Sequence, residues 1–260
     1  MTGLLITGAD SYIGTRLENY LKNYPGEYRV STLDLTLRAP KETDFSGFDV
    51  VFHVAGIAHI KETPENAELY YRVNRDLAVE TAKKAKAGGV GQFIFMSTMA
   101  VYGLEEGAVN KNTLPAPKTN YGRSKLQAEE GIFALEDENF AVAALRPPMV
   151  YGPDCKGNYR FLVKLARCMP VFPDYVNRRS MISIENLCKF VKDTADGKKR
   201  GVFLPQDGQY VCTCRMVRDI AADMGRKLPL WKILNPAVAL AKRFTSRGKK
   251  AFGDLYYEKD

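Results

Sequence analysis

The chain has 260 residues, 45% of them apolar and 26% charged, the proportions of an ordinary globular protein whose length suffices to bury a core. These values exclude a globally disordered, collagen-like or mucin-like chain, and no uncharged apolar run approaches the roughly 18 residues of a transmembrane helix. A net charge of +8, from 38 Lys and Arg against 30 Asp and Glu, favours polyanionic partners without choosing among nucleic acid, anionic lipid and phosphorylated small molecules.

The N-terminus has no basic leader segment and enters a short strand, Leu4 to Thr7, so no secretory signal is expected. A Gly-containing turn leads to a helix from Tyr12 to Asn23 with Ile13, Leu17, Tyr20 and Leu21 on one face. Tyr28 to Leu33 and Val50 to Val54 are the next strands. A long helix is expected over Pro64 to Ala87, started by Thr63-Pro64-Glu65 and stopped by Gly88-Gly89. Phe93 to Met96 is a fourth strand, Tyr121 to Leu135 a helix and Ala141 to Leu145 a fifth strand. Near-continuous apolar strands alternating with amphipathic helices predict an α/β protein, a doubly wound parallel sheet covered on both faces, with ligands at the C-terminal ends of its strands. After Pro147-Pro148 turn residues become denser. Residues 1–152 are expected to form the main domain, with a return near 180–203 in which Met181 to Ile184 rejoins the main sheet. Residues 153–179 and 204–260 then form a small second lobe.

Thr7 to Gly14 joins the first strand to the first helix. Gly8 permits the tight turn and Gly14 lets the helix lie close to the sheet. The free N–H groups of the helix start then face a pyrophosphate. Ser11 stands where the middle glycine of G-x-x-G-x-x-G is absent, and its hydroxyl can donate to phosphate. Asp34 ends the second strand about 20 residues later, where a carboxylate accepts from both adenosine ribose hydroxyls and repels a 2′-phosphate. Arg38 nearby weakens that discrimination, and the alternative is that Asp34 caps a turn.

The fourth strand runs into Ser97-Thr98-Met99-Ala100-Val101-Tyr102-Gly103, and further on comes Tyr121-Gly122-Arg123-Ser124-Lys125. A Tyr and a Lys four apart share one helix face. An ammonium about 5 Å from the phenol is worth about 3 kcal/mol at an effective dielectric near 20, and so predicts a phenol pKa about two units below its usual value. Thr98 would hold a substrate oxygen at the proton-transfer distance.

Together these segments, with His53-Val54-Ala55-Gly56, Asn74, Arg146 to Pro153, and Arg179 before Met181 to Ile184, resemble the extended short-chain dehydrogenase/reductase family. The likeness is to its nucleotide-sugar epimerase/dehydratase branch and runs from Leu4 to at least Leu187. The resemblance implies a Rossmann-like sheet with a small C-terminal substrate-binding lobe. It implies Tyr121 as the general acid/base, Lys125 as its electrostatic partner and Thr98 as the residue that orients the sugar oxygen. The cofactor implied is NAD, with NADP less favoured. It would be held by Gly8, Ser11, Tyr12, Ile13, Gly14, Asp34, Val54, Ala55, Gly56, Ser97, Tyr121, Lys125 and Pro147, with Asp44 and Phe45 beside the adenine. Asn74 would brace the long helix against the active-site strand. Thr98, Asn158 and Arg179 would meet the substrate, the last two at its nucleotide diphosphate, although Arg179 has an alternative as half of a solvated Arg178-Arg179 pair. His53 is expected to pack under the cofactor.

The dehydratases of that branch carry an Asp-Glu pair after the active-site Thr. Here Met99 and Ala100 stand in its place, and neither transfers a proton, so a 4,6-dehydratase is not expected. The segments Pro147-Pro148-Met149, Lys156-Gly157-Asn158 and Arg178-Arg179-Ser180 are similar to those of reductases and epimerases of N-acetylated amino sugars. The expectation is a 4-epimerase or 4-keto reductase of a nucleotide-diphosphate sugar, a cytoplasmic homodimer paired through its two long helices; the alternative is a non-catalytic dinucleotide sensor on the same fold. Two histidines and one tight Cys212-Thr213-Cys214 pair leave a zinc site without its other ligands, so no metal is expected. Five cysteines in such a chain are expected as reduced thiols. Nucleic acid is not expected as a partner. Leu228 to Phe244 carries the single Trp and an apolar helix before Arg247, Lys249 and Lys250. It is read as a helix packed on the substrate lobe in preference to one lying on an anionic membrane.

Overall fold

The structure, a computed structural model, describes every residue except His59, Lys156 and Asp260, and every remaining side chain except those of Asn158 and Arg247. In chain order, β1 (Thr2–Thr7) turns into α1 (Tyr12–Leu21), followed by β2 (Tyr28–Leu33) and β3 (Val50–His53). Then come α2 (Ala67–Tyr70), α3 (Leu77–Ala87), β4 (Gln92–Met96), β5 (Gly107–Val109), α4 (Asn120–Phe133), β6 (Ala141–Leu145) and β7 (Met149–Tyr151). The remainder is α5 (Asn158–Cys168), β8 (Phe172–Pro173), β9 (Met181–Ser183), α6 (Ile184–Asp196), β10 (Gly201–Phe203), α7 (Thr213–Asp223), β11 (Leu230–Trp231), α8 (Asn235–Phe244), α9 (Ser246–Phe252) and β12 (Leu255–Tyr257).

Six of these strands make one parallel sheet in the order β10-β6-β4-β3-β1-β2. β3, β4 and β6 are buried along their whole length, whereas β2 and β10 at the edges are partly open. Their near-continuous apolar sequences follow from burial on both faces. The order reverses at β1, between β2 and β3, and this switch point is where a doubly wound sheet receives its ligand. The Rossmann-like α/β architecture expected of the sequence is the one observed.

One local expectation is corrected and another gains detail. Met181–Ser183 does not rejoin the main sheet; it pairs with β7 in a two-stranded ladder, and β10 makes the return beside β6. α6 begins at the residue after β9, so only β10 emerges from a helix that packs beside α1, as a parallel crossover requires. The helix expected over Pro64 to Ala87 is observed as one continuous run in which a 3₁₀ turn (Pro64–Asn66), α2, a π turn (Tyr71–Asp76) and α3 follow without a gap. The wide turn carries the buried Asn74, whose side-chain bonds are described below.

Contacts divide the chain into two units. The first holds Met1–Gly103, Pro115–Pro147 and Ile184–Pro205; the second holds Leu104–Leu114, Pro148–Ser183 and Gln206–Asp260. The boundary thus falls at Pro147/Pro148, and β5 goes to the second unit because it pairs with β12. One core cluster of the first unit gathers Leu5, Val51, Ala82, Phe93, Phe95 and Ile132. The second unit has its own core around Leu162, Phe172, Met181, Val217 and Leu228.

Candidate active site

Gly8 follows β1 with φ +102°, and a Cβ there would lie 2.8 Å from the Ala55 nitrogen. Only glycine fits both the backbone conformation and this close approach to the loop after β3. Ser11 caps α1 by accepting from the Gly14 N–H at 3.0 Å, which leaves its hydroxyl hydrogen to donate elsewhere. Tyr12 and Ile13 form the first turn of the helix, which holds no acidic residue. The first turn of α1 therefore sets no carboxylate of its own beside its N–H groups, and the cradle at Gly8 fits a pyrophosphate. Val54 continues from β3 by donating its N–H to the Thr7 carbonyl at 3.1 Å.

Asp34 stands at the end of β2, next to β1. One oxygen accepts from the Thr36 N–H at 2.8 Å and the Thr36 hydroxyl at 2.7 Å. These bonds, the hydroxyl's first, hold its pKa below the usual carboxylate range. The turn-capping role takes one oxygen, and the other has no partner among the described residues. Phe45 goes to the core, where a Cβ on Gly88 would lie 2.7 Å from its own Cβ. Of the pair expected beside an adenine, only Asp44 is exposed, and it accepts from the Ser46 N–H at 2.8 Å. An apolar ring between a turn and a helix buries; the carboxylate beside it does not.

Thr98, at the end of β4, caps the following 3₁₀ turn by accepting from the Ala100 N–H at 3.2 Å. Its side chain acts on the phenol of Tyr121, favouring the phenolate. α4 delivers Tyr121 in its first turn, capped by Thr119 on the Gly122 N–H and by Glu62, whose carboxylate accepts from the N–H groups of Asn120 and Tyr121 at 3.0 Å each. Lys125 is buried one turn further on; its Nζ donates to the Met96 carbonyl at 2.8 Å and lies 4.6 Å from the centre of the Phe95 ring. A Cβ on Gly56 would lie 3.3 Å from that Nζ and 2.8 Å from Asn74 Oδ1, so the loop after β3 and α4 meet closely there.

The predicted direction of the tyrosine shift is corrected. Burial pushes the Tyr121 pKa up; the Thr98 side chain opposes this, and Tyr70 adds to it. The Lys125 ammonium donates to the Met96 carbonyl. Burial brings Lys125 itself down to about 8, with Glu129 pulling the other way. His53 is fully buried, bonded through Nδ1 to Thr7 Oγ1 at 2.8 Å and stacked between Phe93 and Phe95. Burial, then the Lys125 charge, lowers its pKa to about 3, so it stays neutral and is no general acid.

Ser97 and Pro147 are engaged within the protein. The Ser97 hydroxyl donates to Glu129, and the Pro147 carbonyl accepts from the Met99 N–H at 2.9 Å. Glu129 and Arg146 form a buried ion pair at 2.5 Å, and Arg146 also donates to the Tyr102 hydroxyl at 2.9 Å. Asn74 accepts from the Ile57 N–H at 2.8 Å and donates to the Ile57 carbonyl at 3.0 Å and to Ser124 Oγ at 3.2 Å. In the second unit Arg179 is partly buried and donates to the Gly253 carbonyl at 3.0 Å, while Arg178 is exposed and lies 4.6 Å from the centre of the Tyr256 ring. The two arginines are not one solvated pair. The Asn158 side chain lies outside those described.

Glu62 and Glu129 were not singled out in the sequence. Glu129 continues the Tyr121, Lys125 spacing by four and is visible as a third residue on that face. Glu62 carries no such signal, since its partners are nearly 60 residues away.

This sheet is of the Rossmann-like kind found in the extended short-chain dehydrogenases/reductases. A family model described as the NAD dependent epimerase/dehydratase family matches residues 4–170; the chain belongs to that family and is an enzyme whose cofactor is NAD. It is 30% identical to the UDP-glucose 4-epimerase of Vibrio cholerae over 286 residues, spanning 99% of this chain and 83% of that protein. It is 26% identical to the N-acetyl-alpha-D-glucosaminyl-diphospho-ditrans,octacis-undecaprenol 4-epimerase of Escherichia coli O157:H7, over 87% of this chain and 73% of that one. Its fold matches the crystal structure of UDP-glucuronic acid 4-epimerase from Bacillus cereus in complex with NAD. The TM-score is 0.73 at 22% identity, covering 96% of this chain and 94% of that one.

Proposed function

We propose that the protein is a 4-epimerase of a nucleotide-diphosphate sugar. The observation that carries the chemistry is that Tyr121, whose phenol the Thr98 side chain influences, stands on α4 one helical turn before a buried Lys125. NAD, when bound, supplies the acceptor and later the donor of the C4 hydride. Gly8, Ser11, Tyr12, Ile13 and Gly14 would hold its pyrophosphate, Asp34 its adenosine ribose, and Val54, Ala55, Gly56, Ser97, Lys125 and Pro147 its nicotinamide side. Asp44 is retained near the adenine.

Thr98 and Tyr121 would grip the C4 oxygen, and Tyr121 would take the hydroxyl proton as the sugar is oxidised and return it as the ketone is reduced. Burial favours the neutral phenol, so Tyr121 is primed to donate in the return step. The Thr98 side chain assists the opposite step by favouring the phenolate. Met99 and Ala100 offer no carboxyl group for dehydration, which favours epimerisation over loss of water. Arg179, and Asn158 by its place in the sequence, would meet the diphosphate, which a guanidinium can grip with two parallel hydrogen bonds. A cytoplasmic homodimer paired through α3 and α4 belongs to the same proposal.

Incubation of the pure protein with UDP-glucose tests it. An epimerase converts the sugar without added NADH; stoichiometric NADH consumption with a 4-keto sugar makes the enzyme a reductase. Tyr121→Phe should keep NAD affinity and lower kcat by about 10²-fold or more. Unchanged function in that variant would indicate the sensor.

A further inference from the structure

Residues 224–253 hold eight of the 38 Lys and Arg and none of the 30 Asp and Glu, so the rest of the chain is balanced, 30 cations against 30 anions. The whole net charge of +8 therefore resides in one segment of the second unit. Within it α8 is amphipathic in the reverse sense. Val238 is buried, and the same inner side is tied down by polar bonds. Asn235 donates to the Asp174 carbonyl at 3.0 Å, and Lys242 reaches Glu106 at 3.0 Å and the Tyr175 hydroxyl at 3.3 Å. The outward stripe is apolar: Ile233, Leu240 and Phe244 are 81%, 61% and 70% exposed, and Trp231 just before them is half exposed. Exposed Lys232 and Arg243 flank this stripe. A packed surface helix turns such residues inward.

We infer that the α8 face docks on the surface of an anionic lipid bilayer. Apolar side chains pointing out of a basic surface fit a membrane interface, where Ile, Leu and Phe enter the acyl boundary and Lys and Arg meet phosphate headgroups. Trp at the rim suits the same boundary. A second copy of the chain fits poorly, since a two-fold pairing of this face sets two like-charged segments against each other. Nucleic acid would use the cations but leave the Ile233–Leu240 stripe in water. Among the described residues no helix is long and apolar enough to cross a membrane, so the contact is peripheral. This inference is independent of the proposed chemistry.

Trp231 is the single tryptophan of the chain, which makes it the reporter. Vesicles of phosphatidylcholine alone are compared with vesicles containing one quarter phosphatidylglycerol, by co-sedimentation of the full chain and by Trp emission. On the anionic vesicles the emission should shift to the blue and the bound fraction should exceed that on neutral vesicles by about tenfold, falling in 0.5 M salt. The double variants Leu240→Asp/Phe244→Asp and Lys232→Glu/Arg243→Glu alter exposed side chains and should keep the wild-type melting curve. Each should lose binding by about tenfold or more. Equal binding to both vesicle types, no binding to either, or full binding by both variants overturns the inference. So does a dimer that Leu240→Asp/Phe244→Asp dissolves, or retention on DNA, without vesicle binding.

Discussion

Lys125 is where burial and charge conflict most directly. Its pKa is lowered to about 8 by desolvation while an unfolded lysine titrates near 10.5. Below pH 8 the group is charged in both states, and the folded protein carries the cost of burying the charge. Between pH 8 and 10.5 the unfolded chain binds more protons, so stability rises with pH across that window. Lys125→Met should therefore raise stability at pH 7, by at most about 3 kcal/mol, less about 1 kcal/mol for the lost bond to the Met96 carbonyl. Urea midpoints measured from pH 7 to 10.5 should show this advantage shrinking, while turnover is lost throughout. A gap that widens with pH would mean that the ammonium is not desolvated in the fold. The Tyr-x-x-x-Lys spacing was legible in the sequence, but the sign of the tyrosine shift was not. Spacing fixes a common face, whereas the sign depends on how deeply the phenol is buried.

At the scale of elements, the site depends on how α4 is seated. A Cβ on Gly122 would stand 2.7 Å from the Ala100 carbonyl oxygen, part of the backbone that carries Thr98. Gly122→Ala should push the helix off that turn at a cost of about 1–3 kcal/mol. Because misplacement by about 1 Å can cost about 10²-fold in rate, kcat should fall more than NAD affinity; equal loss of both would place the damage elsewhere. Glu62 joins the loop after β3 to the start of α4, so Glu62→Ala should remove a cap worth about 1 kcal/mol, read as a lower melting temperature that Glu62→Asp partly restores. The strands β1 to β4 and β6, and the helices α1, α4 and the long segment that ends in α3, were legible from apolar periodicity, whereas α5, α6, α7 and the edge strand β10 were not read from it. The π turn within the long helix left no local signal, because the partners that Asn74 reaches there, Ile57 and Ser124, are distant in the sequence. Met181 to Ile184 misled for a related reason: a three-residue apolar strand does not say which sheet it joins.

For the whole molecule, the Ser97–Glu129–Arg146–Tyr102 network joins β4, α4 and the end of β6 in a buried polar knot. Removing one member strands a charge, so Glu129→Ala should destabilise by about 3–5 kcal/mol, measured by denaturant unfolding. Glu129→Leu/Arg146→Met should recover much of that loss, since neither charge is then left unpaired. What the amino-acid sequence determined alone was the kind of sheet, the Gly8–Gly14 turn, Asp34 at the second strand end and the Thr98, Tyr121, Lys125 set. Each is a short-range pattern whose spacing already constrains the backbone. Only the tertiary structure decided that Phe45 belongs to the core, that Ser97 serves an ion pair, that burial raises the Tyr121 pKa, and that the apolar side of α8 faces outward. Burial and polar satisfaction are settled by which distant segments come together, and no local spacing records that.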